Sequence, residues 1–223
     1  MNTFTPAREA PIPGGQASER DARKLLGQVM GYDAVTVAFG ALGAYVGRDL
    51  SGAVGLVLLI GAIPIILGLH VAAAKGREQL ATGLLLGLGL TLGLAVAPVV
   101  ADYAMADPDA LWQTAAATAA FVAATGAYGH ATRRDLSSWG RPLFWALLGL
   151  IGFGIVAIFV SIPNGNVVYA VAGLGIFGAF TIVDFNRLRH STPDAAVPIA
   201  AGIFLDIFNV FVLILDLFGG RRD

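Results

Sequence analysis

The sequence predicts an all-α integral membrane protein folded as a seven-transmembrane-helix bundle. Three observations carry that reading. Hydrophobic residues make up 57% of the 223-residue chain and charged residues only 13%, against about 25% charged in a soluble domain. A membrane span needs roughly 20 mostly apolar residues, and seven such runs occur, near 30–46, 50–74, 80–100, 110–129, 142–161, 167–184 and 197–218. The connections between them are short, so the runs form one transmembrane domain, residues 29–220, behind an N-terminal arm, residues 1–28, with no room for a separate soluble domain.

Orientation is read from the basic residues flanking the runs. Arg8, Arg20, Arg23, Lys24, Lys75, Arg77, Arg133, Arg134, Arg141, Arg187 and Arg189 fall on one side, and only Arg48, Arg221 and Arg222 on the other. This predicts a cytoplasmic N-terminus and an outside C-terminus. Short loops and the lack of an apolar targeting segment point to a prokaryotic plasma (inner) membrane.

In the arm, Pro6, Pro11, Pro13, Gly14 and Gly15 predict disorder over residues 1–18. From Ser18 onward, Leu25, Leu26 and Val29 share one side with Arg20, Arg23 and Lys24 nearby, the pattern of a short interfacial helix; a solvated tail is the alternative. Asp33 opens the first span beside Tyr32 and reads as an interfacial group. Gly43/Gly47 in that span, and Gly83/Gly87 and Gly89/Gly93 in the third, have the small-xxx-small spacing that lets helix backbones approach closely. Pro64 removes a backbone donor from the second span and kinks it, as a static bend or as a gate. His70, toward the cytoplasmic end of the same span, is either interfacial or a titrating partner of an acidic site. The fourth span is rich in alanine, with Thr118 and Thr125, and leads into Thr132-Arg133-Arg134-Asp135, whose charges are expected to pair and to hold the loop at anionic headgroups. The fifth carries almost nothing polar, and Pro163-Asn164-Gly165-Asn166 reads as an outer turn. The sixth contains Gly173, Gly175 and Gly178 and ends in Thr181-Ile182-Val183-Asp184-Phe185-Asn186-Arg187.

Asp206, in the last run, has at least nine non-ionisable residues on either side. A charge at membrane depth costs roughly 2.5–3.5 kcal/mol on insertion scales, so it needs a partner. If the last two spans form an antiparallel hairpin turning near Ala195, Asp184 and Asp206 lie at similar depth. Two carboxylates held together at low dielectric share a proton, and one macroscopic pKa rises toward neutrality. A cation drawn to them would meet only Asp184, Asp206, Asn209 and a few carbonyls, a weak and transient site. Arg187 is an auxiliary candidate. The competing reading pairs an interfacial Asp184 with Arg187 and bonds Asp206 to Asn209 or to a backbone carbonyl.

Several function classes are disfavoured. With no cysteine, disulfides, thiolate metal sites and cysteine nucleophiles are excluded. There is no H-E-x-x-H, G-x-S-x-G or Walker loop, and three scattered histidines make a poor zinc set. The glycine-rich loop that intramembrane aspartyl chemistry would want is missing, so no enzyme activity and no cofactor are expected. A proton-coupled transporter would want a pair of discontinuous helices, which the runs do not suggest. The expected partners are the bilayer and protons, not nucleic acid.

Three stretches resemble the Bax inhibitor-1 family, also called the transmembrane Bax inhibitor motif family: Thr118-Ala119-Ala120-Phe121 onward to Thr132-Arg133-Arg134-Asp135-Leu136-Ser137, Ile176-Phe177-Gly178 to Asp184, and Leu205-Asp206-Ile207-Phe208-Asn209-Val210-Phe211 with Gly219. The N-terminal half matches in span spacing and in Met30-Gly31-Tyr32. The resemblance implies a seven-helix bundle with the last helix near its centre, and a pH-sensitive calcium leak governed by an aspartate pair that falls on Asp184 and Asp206. Some relatives are described instead as membrane regulators that bind other proteins. Two departures stand out. Asp216 occupies a region that is often basic in the family, and the second span lacks the arginine that some members bring toward the aspartates.

Overall fold

A computed structural model describes residues 13–219. Seven α-helices follow one another with no strand among the described residues: α1 Pro13–Val46, α2 Gly52–Ala74, α3 Glu78–Ala106, α4 Pro108–Ala131, α5 Gly140–Phe159, α6 Gly165–Arg187 and α7 Ala196–Gly219. Six are long and apolar enough to cross a membrane. The exception is α4, whose Ala, Gly and Thr side chains are small and only mildly apolar.

The connections are turns. Gly76 takes a φ of 67° just past the end of α2, a left-handed conformation that glycine adopts without steric cost. Asn164 takes a φ of 55° ahead of α6, within the turn read from Pro163-Asn164-Gly165. Pro64 stays inside a continuous α2, and Pro98 inside α3.

The N-terminal region departs from expectation. Residues 13–18 are helical rather than disordered, and α1 runs through residue 28 without a break; residues 1–12 lie outside the described residues. Leu25 and Val29 do not face headgroups. They are buried against Leu188, Val197, Ile199 and Ile203. An apolar pair one turn apart gains more from a protein groove than from the interface, at about 25 cal/mol per Å² of apolar surface covered.

α7 packs against α1, α2, α3, α4 and α6. In its most apolar 18-residue stretch 56% of residues are buried, against at most 33% in the other candidate spans. α5 is peripheral and rests mainly on α6.

Glycine seams set the closest approaches. On α1 and α3, a Cβ at Gly43 would strike the Leu90 carbonyl, one at Gly89 the Thr36 carbonyl, and one at Gly93 the Gly40 carbonyl. A second seam joins α4 to α6, where Gly129 abuts the Ile182 backbone and Gly178 abuts Phe121. Of the spaced pairs in the sequence, Gly43/Gly47 and Gly89/Gly93 are used this way, whereas Gly83 and Gly87 face open space with nothing within 4 Å. Helix association in lipid rests on van der Waals packing rather than on a hydrophobic driving force, so these seams carry weight. Gly93→Ala is expected to destabilise the protein by about 1–3 kcal/mol, while Gly83→Ala leaves stability unchanged or raises it by up to about 1 kcal/mol through helix propensity. Unfolding curves of both variants in one detergent check this.

Candidate functional site

α6 brings Asp184 to within one turn of its C-terminal end, and α7 brings Asp206 near its middle. Both are buried, with 9% and 5% of their surfaces exposed. The Asp184 carboxyl lies directly on the α7 backbone at Gly202, where an added Cβ would collide with Asp184 Oδ2. Gly202 precedes Asp206 by four residues, about 6 Å of helical rise. The charges on Asp184 and Asp206 therefore act on one another. The hairpin expected from the sequence exists, but its reversal occupies Leu188–Ala195, with a 3-10 turn at Leu188–His190 and another at Pro193–Ala195. Asp184 accordingly meets α7 one turn before Asp206 rather than level with it.

The surroundings of the pair are sparse in compensating groups. Arg187 Nη1 is 3.7 Å from Asp184 Oδ1, and the arginine side chain is 54% exposed, so the attraction is screened. The Thr181 hydroxyl donates to the Phe177 carbonyl at 2.8 Å and lies beside the Asp206 carboxyl. Asp206 Oδ2 is buried without a hydrogen-bond partner.

Two auxiliary candidates are not brought to the pair. Asn209 donates its amide to the Leu205 carbonyl of its own helix at 2.7 Å, the i to i−4 bond that asparagine makes readily inside a helix. No hydrogen bond joins it to Asp206 among the described residues, so that part of the competing reading is not met. His70 is exposed, with Nδ1 2.8 Å from the Ile66 carbonyl oxygen, and so is engaged with its own helix rather than with Asp184.

Asp33 moves the other way. Expected at the interface, it is 5% exposed, and both its carboxylate oxygens are buried without partners. It lies one turn beyond Val29, which shares a buried cluster with Ile203, one turn before Asp206. The apolar part of α1 begins at Ala22 rather than near residue 30, which places Asp33 close to mid-span. Among the described residues, no group of three or more His, Cys, Asp or Glu side chains is gathered so as to hold a metal ion.

Asn186 is the structural residue that sequence reasoning passed over. It is 1% exposed. Its amide donates to the carbonyls of Thr132 and Arg134 at 3.0 Å and of Gly129 at 3.4 Å, and its oxygen accepts from the Leu136 N–H at 3.0 Å. One side chain thus ties the loop after α4 to the end of α6. The loop charges do not pair as expected. Asp135 accepts from the Ser137 backbone N–H at 2.9 Å, and that bond holds its carboxyl below the usual carboxylate range. The signal available in the sequence was an amide beside Phe185 at the end of the sixth apolar run, two positions from the sensor candidate.

A cleft of about 750 Å³ lies at the opposite end of the bundle, between α3, α5, α6 and α7, with Tyr103, Tyr169 and Asp216 in its lining. Between it and the aspartates, Val210, Leu213 and Ile214 of α7 are buried in an apolar cluster with Phe177 and Leu150.

Asn186→Ala leaves a buried N–H and up to three carbonyls without their partner. It is expected to cost about 1–3 kcal/mol and to speed hydrogen exchange at the Leu136 amide; unchanged exchange there would mean that the loop is held by other contacts.

Comparison with known proteins agrees with this architecture. The family profile described as Inhibitor of apoptosis-promoting Bax1 matches residues 22–223. The Escherichia coli K12 protein named inner membrane protein YbhL is 27% identical over 178 residues, 74% of each chain. The vaccinia virus (strain Lister) Golgi anti-apoptotic protein is 34% identical over 164 residues, 73% of this chain and 67% of the viral one. An uncharacterised Helicobacter pylori protein is 28% identical over 114 residues, 51% of this chain, and the match spans about half of that relative, 50%. The chain is an integral membrane protein and belongs to the Bax inhibitor-1 family.

Proposed function

We propose that the protein is a pH-sensitive calcium leak channel whose sensor is the aspartate pair Asp184–Asp206 between α6 and α7. The observation that supports this reading is the burial of two mutually repelling carboxylates on adjacent helices, with one partly exposed arginine as their charged neighbour. A shared proton holds the pair together and keeps α6 on α7. Loss of that proton leaves two negative charges at low dielectric, where repulsion is strong. The helices then part, or a cation enters. Calcium passes as a transported ion, with carboxylate and backbone oxygens as transient ligands; no cofactor is involved. α7 serves as the central helix of the bundle, and Val210, Leu213 and Ile214 form the apolar barrier that must open between the pair and the far cleft. In this reading the excess of basic residues on one side supports a cytoplasmic N-terminus and an outside C-terminus, in a prokaryotic inner membrane.

The second reading is a non-conducting regulator that binds other membrane proteins. Its support is the name of the viral relative, a Golgi anti-apoptotic protein. Co-purification of a partner, with no flux through the pure protein, would favour it.

Calcium entry into dye-loaded liposomes tests the proposal between about pH 5.5 and 8. Flux should rise with pH as the pair loses its shared proton. Asp184→Asn and Asp206→Asn should each flatten or displace that profile. Gly202→Ala, which keeps every charge but pushes on Asp184 Oδ2, should displace it as well. Folded protein that passes no calcium at any pH would defeat the leak reading in favour of the regulator.

A further inference from the structure

Asp33 is a third acidic group that the two-aspartate sensor does not account for. It sits on α1, is 5% exposed, and both of its oxygens are buried without a hydrogen-bond partner. Asp206 Oδ2 is in the same condition on α7. Asp33 follows Val29 by one turn on α1 and Asp206 follows Ile203 by one turn on α7, and Val29 and Ile203 lie in one buried cluster; with the Asp184 carboxyl on Gly202, three helices bring carboxyl groups to one region of the interior.

The charged groups of the neighbouring elements do not balance the three. α2 contains no lysine or arginine, and its His70 is exposed and bonded to its own helix. α3 offers only Glu78, Asp102 and Tyr103, near its ends; α4 offers Asp109 at its start and, at its end, Tyr128 and His130, whose Nδ1 is buried without a hydrogen-bond partner; and α7 adds only Asp216, near its far end. On α1 itself the nearest cations, Arg23 and Lys24, are more than two turns from Asp33. In the reversal between α6 and α7, Arg189 Nη1 donates to the His130 carbonyl, His190 Nδ1 lies 3.2 Å from the Asn186 carbonyl oxygen, and the remaining ionisable group there is Asp194. Only Arg187 is paired with any of the three, and it reaches Asp184. Three ionised carboxylates against one guanidinium would leave a surplus of negative charge, and unpaired charge at that depth is costly.

We propose that Asp33 is the third member of the Asp184–Asp206 site, and that α1, α6 and α7 together take up a compensating cation there. This deepens the proposed function by adding a residue and a helix to the same site, and in part rests on it. The positive charge can arrive as a proton or as a divalent ion. A proton needs no rearrangement, whereas the three carboxyls are not gathered to ligate one metal ion as they stand, so a divalent ion would require α1 to close on the α6–α7 pair. Asp33 also supplies a physical link from the pair to α1, and through the glycine seam to α3.

The test is infrared spectroscopy of the full chain in nanodiscs, following the carbonyl stretch of protonated carboxyl groups through a pH titration with and without calcium. Asp33→Asn should remove part of that band and move the titration of the remaining groups to lower pH by about one unit, a tenfold change in proton affinity, because a neighbouring negative charge has gone. Asp33→Glu, which keeps the charge, should restore the wild-type midpoint. If calcium discharges the band in the wild type but needs about tenfold more ion in Asp33→Asn, the compensating cation is divalent; if calcium has no effect while the midpoint moves, it is a proton. A titration of the remaining carboxyls that is identical in the wild type and both variants, with and without calcium, overturns the proposal. The readout does not depend on conduction, so absence of calcium flux in liposomes would remove the leak reading and leave this result standing.

Discussion

A carboxylate in the interior of a membrane bundle has to be compensated, and this one bundle contains three of them on different helices. The cost of an unpaired charge at that depth is roughly 2.5–3.5 kcal/mol on insertion scales, comparable to the effect of a severe point mutation. Asp184 is compensated in part by Arg187. Asp206 has only the Thr181 hydroxyl beside it, and Asp33 has no protein partner. The packing of α1 and α6 onto α7 therefore holds together groups that repel when ionised, and the balance between packing and repulsion is set by whatever positive charge is available. That is the physical basis for a switch.

The rest of the fold holds that balance in place. Glycine seams draw α1 onto α3 and α4 onto α6 so closely that a single methyl would strike opposing backbone or ring atoms. Gly202 does the same locally, letting the Asp184 carboxyl lie on α7. Asn186 ties the loop after α4 to α6 two residues from Asp184. The end of α6 is thus held from both sides, to the loop after α4 through Asn186 and to α7 at Gly202. At the far end, α5 is peripheral and the bundle opens into a cleft, so rigidity is concentrated at the aspartate end.

Much of this was legible from the chain. Long apolar runs separated by short polar turns fixed the number and order of helices, because the bilayer allows few other solutions. The isolation of Asp206 among apolar residues, and its distance from Asp184 across one turn, located the pair. Other features depended on rotational phase, which spacing alone does not supply. Asn209 lies only three positions from Asp206, yet its amide turns back onto Leu205. His70 is at a suitable depth but on an exposed face. Asp33 was misplaced because Arg23 and Lys24 interrupt the apolar run, which hides that α1 continues toward the N-terminus and buries Leu25 and Val29 against α7. Of three glycine pairs with the same spacing, only those facing another helix became contacts, and no count of residues distinguishes them from Gly83/Gly87.

The measurement that bears most directly on the account is a double-mutant cycle on unfolding free energy at neutral pH, comparing Asp184→Asn, Asp206→Asn and the double variant. If the two carboxyls act as one unit, the single effects do not add, and the cycle gives an interaction of about 0.5–3 kcal/mol. Additivity to within about 0.5 kcal/mol would mean that Asp184 and Asp206 are independent buried groups, and the pair would lose its place at the centre of the mechanism.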